Sequence, residues 1–290
     1  MRIRSFDSDE GILYLVATPI GNLEDITFRA IKILKSVDKI YAEDTRTSFV
    51  LLNHYDIKTP VFSYHEFNQA EKTRQIVDEI AGGAKIAIIS DAGMPIISDP
   101  GFKIVSLARS QGLRVSTIPG PSASLSALIS SGISGAKFSF VGFLNAKDSK
   151  REAELEEVKY YKDTLIFYEA PHRLNETLNS MMKVLGDRNI VILRELTKTY
   201  EEYISGKISE VMEMDNLKGE MVIICEGYTE VSEEVDVNSK IDELISLGYK
   251  PNEAIKDVSK MFNLDRKEVY KNYLTYKDKR WLKWRDILLI

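Results

Sequence analysis

The sequence is poor in the residues that build disulfide frameworks and metal sites. It has one cysteine, Cys225, and three histidines among 290 residues. A single cysteine excludes an intramolecular disulfide, which fits a reducing compartment, and its apolar neighbours predict a small core residue. The histidines at 54, 65 and 172 lie far apart and lack the H-E-x-x-H spacing, so we expect no metal site.

Long apolar runs and the common phosphate-binding loops are also missing. No stretch reaches the roughly 18–20 apolar residues that a membrane span needs, and the N-terminal segment lacks the apolar core of a secretion signal. We therefore expect a cytoplasmic protein that does not engage membranes. Neither G-x-G-x-x-G after the first predicted strand nor G-x-x-x-x-G-K-[ST] occurs, which argues against dinucleotide and nucleoside-triphosphate binding.

The charge balance does not favour nucleic acid as a partner. The chain has 39 Lys and Arg residues against 44 Asp and Glu residues, a net charge of −5. A field of that sign repels phosphate, so RNA binding would need local basic patches or recognition of a folded RNA by its shape. Composition alone favours a small-molecule enzyme, and the length favours two domains.

The first half of the chain alternates strand and helix patterns. Strands are predicted at residues 12–17 and in KIYAEDT, KIAIIS and LRVSTIPGPS, with helices at residues 25–34 and in KTRQIVDEIAGG. Ser122 is predicted to cap a further helix, Ala123–Ser130. Continuous apolar strands between helices predict a parallel sheet that is covered on both faces.

The second half changes character. KFSFVGFL, TLIFYEAP, NIVILREL, EEYISGKI and GEMVIICEG read as strands, with one short helix at residues 209–214, which predicts a mixed sheet. The polar segment 145–151 is interpreted as a domain connection. After an acidic linker, three short helical patterns resemble a helix-turn-helix, and WLKWRDILLI is either an amphipathic anchor or an extension. We expect α/β domains at 1–120 and 121–228, and the linker with a helical unit at 229–290.

Loops that follow the predicted strands of the first half point to a ligand site. They read TPIGN, EDTR, SDAGMP with SDPG, and PGPSA. Ligands of open α/β sheets bind beyond the carboxyl ends of the strands, and glycine and proline allow the backbone to approach a ligand closely. One such loop would be only a tight connection, but several at the same edge predict a binding site.

Seven sequence blocks, taken together and in order, resemble one known family. The blocks LVATPIGNLEDIT, AEDTR, ISDAGMPIISDPG, IPGPSA, YEAPHR, RELTKTYEE and GEMVIICEG are similar to the bacterial ribosomal RNA small subunit methyltransferase I family, of the tetrapyrrole methylase superfamily. The resemblance covers about residues 11–228 and weakens in the helical C-terminal part. Phe67 stands where the family's H-E-H-N block has its second histidine.

This resemblance implies a fold and an activity. The fold is the class III methyltransferase fold, with two α/β domains and S-adenosylmethionine in the cleft between them. The activity is 2′-O-methylation of a decoding-centre cytidine, cytidine-1402, in the 16S rRNA of the small ribosomal subunit, by a homodimer. The cofactor contacts that it implies are Pro19, Asp91, Gly93, Met94, Ser122, Ala123, Tyr168, Leu196 and Met221. Asp91 has an alternative interpretation as a turn former or helix cap.

Three charged clusters supply candidates for catalysis and RNA binding. They are Glu43 with Asp44 and Arg46, Glu169 with His172 and Arg173, and Arg194 with Glu195 and Lys198. The catalytic candidates are Glu43, Asp44, Arg46, Glu169 and Lys198. The RNA-binding candidates, whose arginines can clamp phosphate, are Arg46, His172, Arg173, Arg194 and Lys198. Each cluster could equally be a salt-bridged domain interface, and Tyr200 and Tyr203 could stack on a base or belong to a half-buried strand.

Two other functions stay open at this point. One is a methylase of the same superfamily that acts on a tetrapyrrole or another small molecule. The other is a non-catalytic ribosome-binding module that uses the C-terminal helix-turn-helix. The first would methylate a corrinoid precursor instead of 30S subunits, and the second would not bind S-adenosylmethionine.

Overall fold

The computed structural model describes residues 10–65, 67–97, 101–214, 217–230, 237–262 and 264–287, with side chains up to residue 277. The chain forms two compact units, Met1–Tyr228 and Thr229–Ile290. The first unit, called unit one below, contains two five-stranded sheets. The second, called unit two, is helical.

The first sheet is entirely parallel, as the sequence predicts. Its strand order is β3-β2-β4-β1-β5. The strands are β1 (Ile12–Val16), β2 (Lys39–Ala42), β3 (Val61–Ser63), β4 (Lys85–Ile89) and β5 (Arg114–Ile118). One apolar cluster covers each face, which is why these strands read as continuous apolar runs. The short edge strand β3 has no counterpart in the sequence prediction.

Helices pack around this sheet. They are α1 (Phe28–Ser36), α2 (Thr45–His54), α3 (Gln69–Ala81) and α4 (Phe102–Ser110), and α5 (Ala123–Ser130) follows β5. The helix predicted at residues 25–34 begins later, because the Thr27 hydroxyl accepts the Ala30 N–H at 3.1 Å and marks the start of α1. Helix α5 has the predicted bounds and Ser122 is its N-cap residue, but the side-chain cap expected of Ser122 is absent. Its side chain makes no cap hydrogen bond, and its hydroxyl lies 3.2 Å from that of Ser124.

The second sheet is mixed, which confirms the prediction from the shorter spacing of its strands. Its order is β6-β7-β10-β8-β9, with β6 and β7 parallel and the other neighbours antiparallel. The strands are β6 (Phe138–Phe143), β7 (Thr164–Glu169), β8 (Asn189–Arg194), β9 (Glu202–Lys207) and β10 (Met221–Cys225). Three helices accompany it: α6 (Asp148–Val158), α7 (Leu174–Leu185) and α8 (Ile208–Val211). Helix α5 packs on the other face, through Ala127 and Leu128.

The interpretation of segment 145–151 as a domain connection is wrong. Strand β6 precedes this segment and already belongs to the second sheet. The segment leads into α6, where Arg151 is 1% exposed and donates a hydrogen bond to the Ser180 hydroxyl at 2.9 Å. Its guanidinium also pairs with Asp148. The polar residues therefore hold α6 against α7.

Unit two is built from three helices. They are α9 (Val237–Ser246), α10 (Pro251–Met261) and α11 (Arg266–Ile287), packed around Ile241, Ile255, Val258, Val269 and Tyr273. Helix α11 continues past its predicted end into WLKWRDI, and the last three residues lie outside the described part, as does most of the predicted acidic linker. Among the described residues, no helix is both long enough and apolar enough to cross a bilayer.

Candidate active site

The ends of β1 and β4 are tied together at the carboxyl edge of the first sheet. The backbones of Thr18 and Gly93 exchange hydrogen bonds of 2.9 and 3.0 Å, and the Thr18 hydroxyl donates to the Ser90 carbonyl at 3.1 Å. Gly93 has a φ of 77°, in the left-handed region, and a Cβ there would lie 3.2 Å from the Ile20 side chain. A glycine at this position lets the turn after β4 close over the end of β1.

A cleft of about 380 Å³ opens at this edge, between the loops of the two sheets. That volume is in the range of small-molecule sites, about 300–1,000 Å³. From the first sheet and α5, it is lined by Ile20, Asp91, Ala92, Gly93, Met94, Ile97, Ser122, Ala123 and Ser124. From the second sheet, it is lined by Phe143, Tyr168, Glu169, Ala170, Pro171, Leu193, Leu196, Lys198, Glu220, Met221 and Val222.

Tyr168 connects the two sides of the cleft. It is on β7, and its hydroxyl accepts the Ser124 N–H at the start of α5, at 3.2 Å. Phe140 and Phe143 pack edge-on against its ring, with centroids 5.0 and 5.4 Å away. These ring contacts fix the orientation of the hydroxyl, since edge-to-face pairs favour one geometry.

Asp91 places a carboxyl in the cleft directly after β4. The residue is exposed overall, yet partial burial of the carboxyl raises its pKa. The N–H of Asp44, which it accepts at 3.1 Å, opposes this shift, and the negative charge of Asp44 adds to it. Asp91 is therefore a hydrogen-bond acceptor in a partly desolvated position.

The loop after β8 is held in an unusual backbone conformation. Glu195 and Thr197 have φ values of 52° and 66°, which are costly for residues with a Cβ. The Thr197 N–H donates to the Glu201 carboxylate at 2.6 Å. Among the described residues, no partner is present for the buried Thr197 hydroxyl. Strain and an unpaired polar atom together are typical of a functional loop.

Lys198 in this loop is an ion-paired cation. Its Nζ lies 3.0 Å from Glu195 and 3.2 Å from Glu220. Burial alone would lower its pKa, but the two carboxylates outweigh it and raise the pKa of Lys198. The hydrogen bond from Lys198 lowers the pKa of Glu195. The side chain therefore presents a positive charge to the cleft at neutral pH.

A second cavity of about 450 Å³ adjoins this loop. It is lined by Gly21, Asn22, Leu23, Glu24, His54, Thr197, Lys198 and Thr199, so Lys198 contributes to both cavities. A Cβ on Gly21 would lie 2.6 Å from Lys198 Cγ and 2.9 Å from the Leu196 carbonyl. The loop after β1 therefore packs directly on the loop after β8, at a distance that only glycine allows.

Comparisons with known proteins identify the family. Residues 12–212 match the family model of the tetrapyrrole (corrin/porphyrin) methylases. A Bacillus subtilis protein named ribosomal RNA small subunit methyltransferase I is 48% identical over 277 residues, which cover 92% of this chain and 95% of that protein. The Halalkalibacterium halodurans protein of the same name is 46% identical, over 91% and 95%. The chain belongs to the ribosomal RNA small subunit methyltransferase I family.

Solved structures of other methylases share the fold. Diphthine synthase aligns with a TM-score of 0.59 at 10% identity, over 74% of this chain and 89% of that one. Uroporphyrin-III-C-methyltransferase from Thermus thermophilus aligns with a TM-score of 0.53 at 15% identity, over 74% and 94%. The predicted tetrapyrrole-methylase-like fold is confirmed for this member of the ribosomal RNA small subunit methyltransferase I family.

Most residues that the family resemblance assigns to the cofactor lie together in the structure. Eight of the nine line the cleft: Asp91, Gly93, Met94, Ser122, Ala123, Tyr168, Leu196 and Met221. Pro19 lies beside them in sequence but is not a lining residue. Ten of the lining residues are not among the predicted site residues, and Ile20, Phe143 and Glu220 are examples. Ile20 and Glu220 adjoin predicted residues, whereas nothing in the sequence singled out Phe143.

The catalytic candidates of this methyltransferase are split between the cleft and its surroundings. Glu169 and Lys198 line the cleft, whereas Glu43, Asp44 and Arg46 lie outside its lining, at the start of α2. Arg46 is paired with Asp44 at 2.6 Å, and the hydrogen bonds from its side chain lower the pKa of Asp44 to about 2. Asp44 is therefore a carboxylate already bonded to a cation.

Three of the RNA-binding candidates are engaged with carboxylates at the second sheet. Arg173 Nε lies 3.4 Å from the carboxylate of Glu169, which is 2% exposed and also accepts the Thr177 hydroxyl and the Ala170 N–H. Arg194 pairs with Glu202, and Lys198 is paired as described above. Of the other two candidates, Arg46 is described above and His172 is exposed. These contacts are those expected of a salt-bridged interface. No group of metal ligands is found among the described residues.

Proposed function

We propose that this chain transfers a methyl group from S-adenosylmethionine to the 2′-hydroxyl of cytidine-1402, in the decoding centre of 16S rRNA. One observation carries the proposal: residues from both sheets converge on a single cleft, in a chain whose near full-length relatives are named ribosomal RNA small subunit methyltransferase I. The substrate would be the RNA within the small ribosomal subunit, in the cytoplasm.

The residues of the cleft fit S-adenosylmethionine. Met94, Leu196 and Met221 offer apolar walls of the kind that accept a purine ring. The Asp91 carboxyl suits the ribose hydroxyls or the amino group of the cofactor. When bound, the cofactor supplies a methyl group activated by the positive charge of its sulfonium. The remaining tasks of the protein are to align the acceptor hydroxyl and to exclude water.

Lys198 is the catalytic candidate whose position and charge best suit a direct role. Its ammonium group lines both cavities and is kept protonated by Glu195 and Glu220. It would stabilise negative charge on the ribose oxygen as the hydroxyl proton passes to a solvent molecule. The Glu169 carboxylate is occupied by Arg173, Thr177 and the backbone, so its role would be to position the loop after β7.

The second cavity would hold the acceptor nucleotide. It shares Lys198 with the cleft, and its lining includes Thr197 and Asn22. A ribose placed there would face the methyl group across Lys198. The family resemblance also implies a homodimer, which is part of this proposal. Leu125 and Ile129, four residues apart on α5 and 48% and 85% exposed, would supply an apolar face for a second copy.

Methyl transfer to 30S subunits that lack the modification tests the proposal. We expect labelled methyl to enter 16S rRNA at cytidine-1402, and the 2′-O-methyl group to protect the adjacent phosphodiester from alkaline hydrolysis. Label on a base would contradict the proposed position, and label on a corrinoid precursor instead of RNA would favour a small-molecule methylase. Absence of S-adenosylmethionine binding in calorimetry would favour a non-catalytic ribosome-binding module.

A further inference from the structure

One helix of this acidic chain is strongly basic. The 22 residues of α11 include eight Lys and Arg residues against three Asp and Glu residues, a net charge of +5. The whole chain has a net charge of −5, so the other residues together carry −10. A basic segment on an otherwise acidic molecule is the electrostatic footprint of a surface that binds a polyanion.

In the described part of α11, the two residues that pack in the core and the lysines at 267 and 271 lie on opposite sides of the helix. Val269 and Tyr273 are buried, and the Tyr273 hydroxyl donates to Asp242 of α9 at 2.5 Å. Lys267, Lys271 and Leu274 recur at spacings of four and three residues and are exposed, so they share the opposite face. Tyr270 and Leu274 on this side are 45% and 46% exposed. The core contact therefore uses one side of the helix and leaves the basic side open.

The charges on this face are not neutralised by the protein. Within the part of the chain whose side chains are described, Lys267 and Lys271 form no ion pair. The basic residues at the active-site cleft and its borders differ in this respect. Arg46, Arg173, Arg194 and Lys198 are each paired with a carboxylate. Unpaired ammonium groups gain more from a phosphate partner than paired ones do, because no existing contact is lost.

We infer that the exposed face of α11, defined by Lys267, Tyr270 and Lys271, is the main RNA-binding surface of the protein. The inference rests on the proposed function and adds to it a second contact with the RNA, outside the cleft. Lys267 and Lys271 contact backbone phosphates, and Tyr270 offers a ring on which an unpaired base can stack. The cleft then supplies alignment and chemistry, and α11 supplies affinity.

The test compares full-length variants in binding to 30S subunits that lack the modification and to a decoding-region RNA fragment. In the double variant Lys267→Gln/Lys271→Gln, two exposed charges are removed and helix propensity is kept. We expect RNA affinity to fall about ten-fold near 0.1 M salt, and the slope of log affinity against log salt to flatten by about 1.5–2. Affinity for S-adenosylmethionine and the thermal unfolding midpoint should stay unchanged.

A matched control removes two lysines that are already neutralised. Lys183 is paired with Glu152 at 2.8 Å and Lys240 with Glu243 at 2.7 Å. The variant Lys183→Gln/Lys240→Gln should keep the wild-type salt slope. Reversal of charge in Lys267→Glu/Lys271→Glu should weaken RNA binding more than neutralisation does, because repulsion is added to the lost contacts.

Three outcomes would overturn the inference. The first is an unchanged slope of RNA affinity against salt in the α11 variants. The second is an equal loss of RNA affinity in the control variant. The third is that the α11 variants lose binding to phosphatidylglycerol vesicles while their RNA affinity is unaffected. Methyl transfer by the wild-type chain to the same subunits is measured in parallel. If wild type methylates 30S subunits and the α11 variants bind RNA normally, the proposed function stands and the surface is wrong.

Discussion

The hydroxyl of Tyr168 accepts the backbone N–H of Ser124 at 3.2 Å, and so joins the second sheet to the first turn of α5. Removal of this hydroxyl in Tyr168→Phe leaves the ring contacts with Phe140 and Phe143 in place. We expect S-adenosylmethionine affinity to fall by about 1 kcal/mol, roughly five-fold, in calorimetry. Tyr203→Phe, which removes an exposed hydroxyl bonded to Glu201, is the control and should bind normally.

Asp91 should show a conflict between stability and binding. Since burial raises its pKa, the ionised carboxyl is disfavoured in the folded state. The free energy of unfolding of the wild type, relative to that of Asp91→Asn, should therefore fall as the pH rises. The fall begins at the usual aspartate pKa of the unfolded chain, about 4, and ends above the raised pKa of the folded state. At neutral pH the variant should unfold at the same temperature or higher, yet bind S-adenosylmethionine about 1–3 kcal/mol more weakly.

Thermal unfolding from pH 3 to 8, with calorimetry at pH 7, measures both effects. Asp91→Ala should show the same loss of affinity, since it too removes the charged acceptor. Wild-type affinity in a folded Asp91 variant would remove this residue from the cofactor site.

Gly21 should not tolerate a side chain. A Cβ at this position would lie 2.6 Å from Lys198 Cγ and 2.9 Å from the Leu196 carbonyl, so Gly21→Ala must shift the loop after β8. We expect a loss of about 1–3 kcal/mol in the free energy of unfolding and a larger relative loss of methyl transfer. Gly82→Ala is the matched control, because its φ of −76° and its nearest contact of 3.4 Å accommodate alanine. Equal activity in both variants would show that the loop is not held by this contact.

Arg46 and Arg173 should respond differently to alanine. The Arg46 side chain is 89% exposed, so Arg46→Ala should leave the fold intact and weaken RNA binding only slightly, with a salt slope lower by at most about 1.

Arg173→Ala would remove the cation that pairs with the buried carboxylate of Glu169. We expect the free energy of unfolding, measured in denaturant, to fall by about 2–4 kcal/mol. Lysine should rescue position 46 better than position 173, where the arginine also donates to the Leu144 carbonyl. A stable Arg173→Ala variant with weak RNA binding would instead assign this residue to RNA.

The boundary between the two units predicts how the chain can be shortened. The N–H of Tyr228 donates to the Tyr161 carbonyl at 2.6 Å, and its ring packs edge-on against Tyr160 at 5.1 Å. A chain that ends after Tyr228 should therefore bind S-adenosylmethionine normally and methylate 30S subunits poorly, whereas one that ends before Gly227 should be less stable. Loss of cofactor binding in the longer fragment would mean that unit two is needed to complete the cleft.

The two sheets could be predicted because their strands are short apolar runs that end at glycine, proline or aspartate. Strand β3 escaped prediction because it has only three residues, none of them buried. The sequence does not reveal helix α2, because Asp44, its N-cap, follows β2 within two residues and belongs to a charged cluster. Local patterns do not separate a strand from a helix that begins almost at once.

The position of the cleft was predictable for a topological reason, while its electrostatics were not. Parallel strands bring their carboxyl ends to one edge, so the loops after β1, β4 and β5 had to meet. The pairing of Lys198 with Glu220 joins residues that are 22 positions apart, one in the loop after β8 and the other directly before β10. No spacing in the sequence indicates such a contact. The sequence alone therefore does not separate charged residues that act in function from those that only form ion pairs.

Strand β10 is the last strand of unit one along the chain, yet it lies between β7 and β8 at the centre of the second sheet. The order of synthesis and the order of assembly therefore differ. The first sheet can form once Ile118 has been made, because domains tend to fold as they are translated. The second sheet stays divided into β6–β7 and β8–β9 until Met221–Cys225 appears. A ribosome that stalls before Met221 would carry a nascent chain with two apolar strand edges open to aggregation.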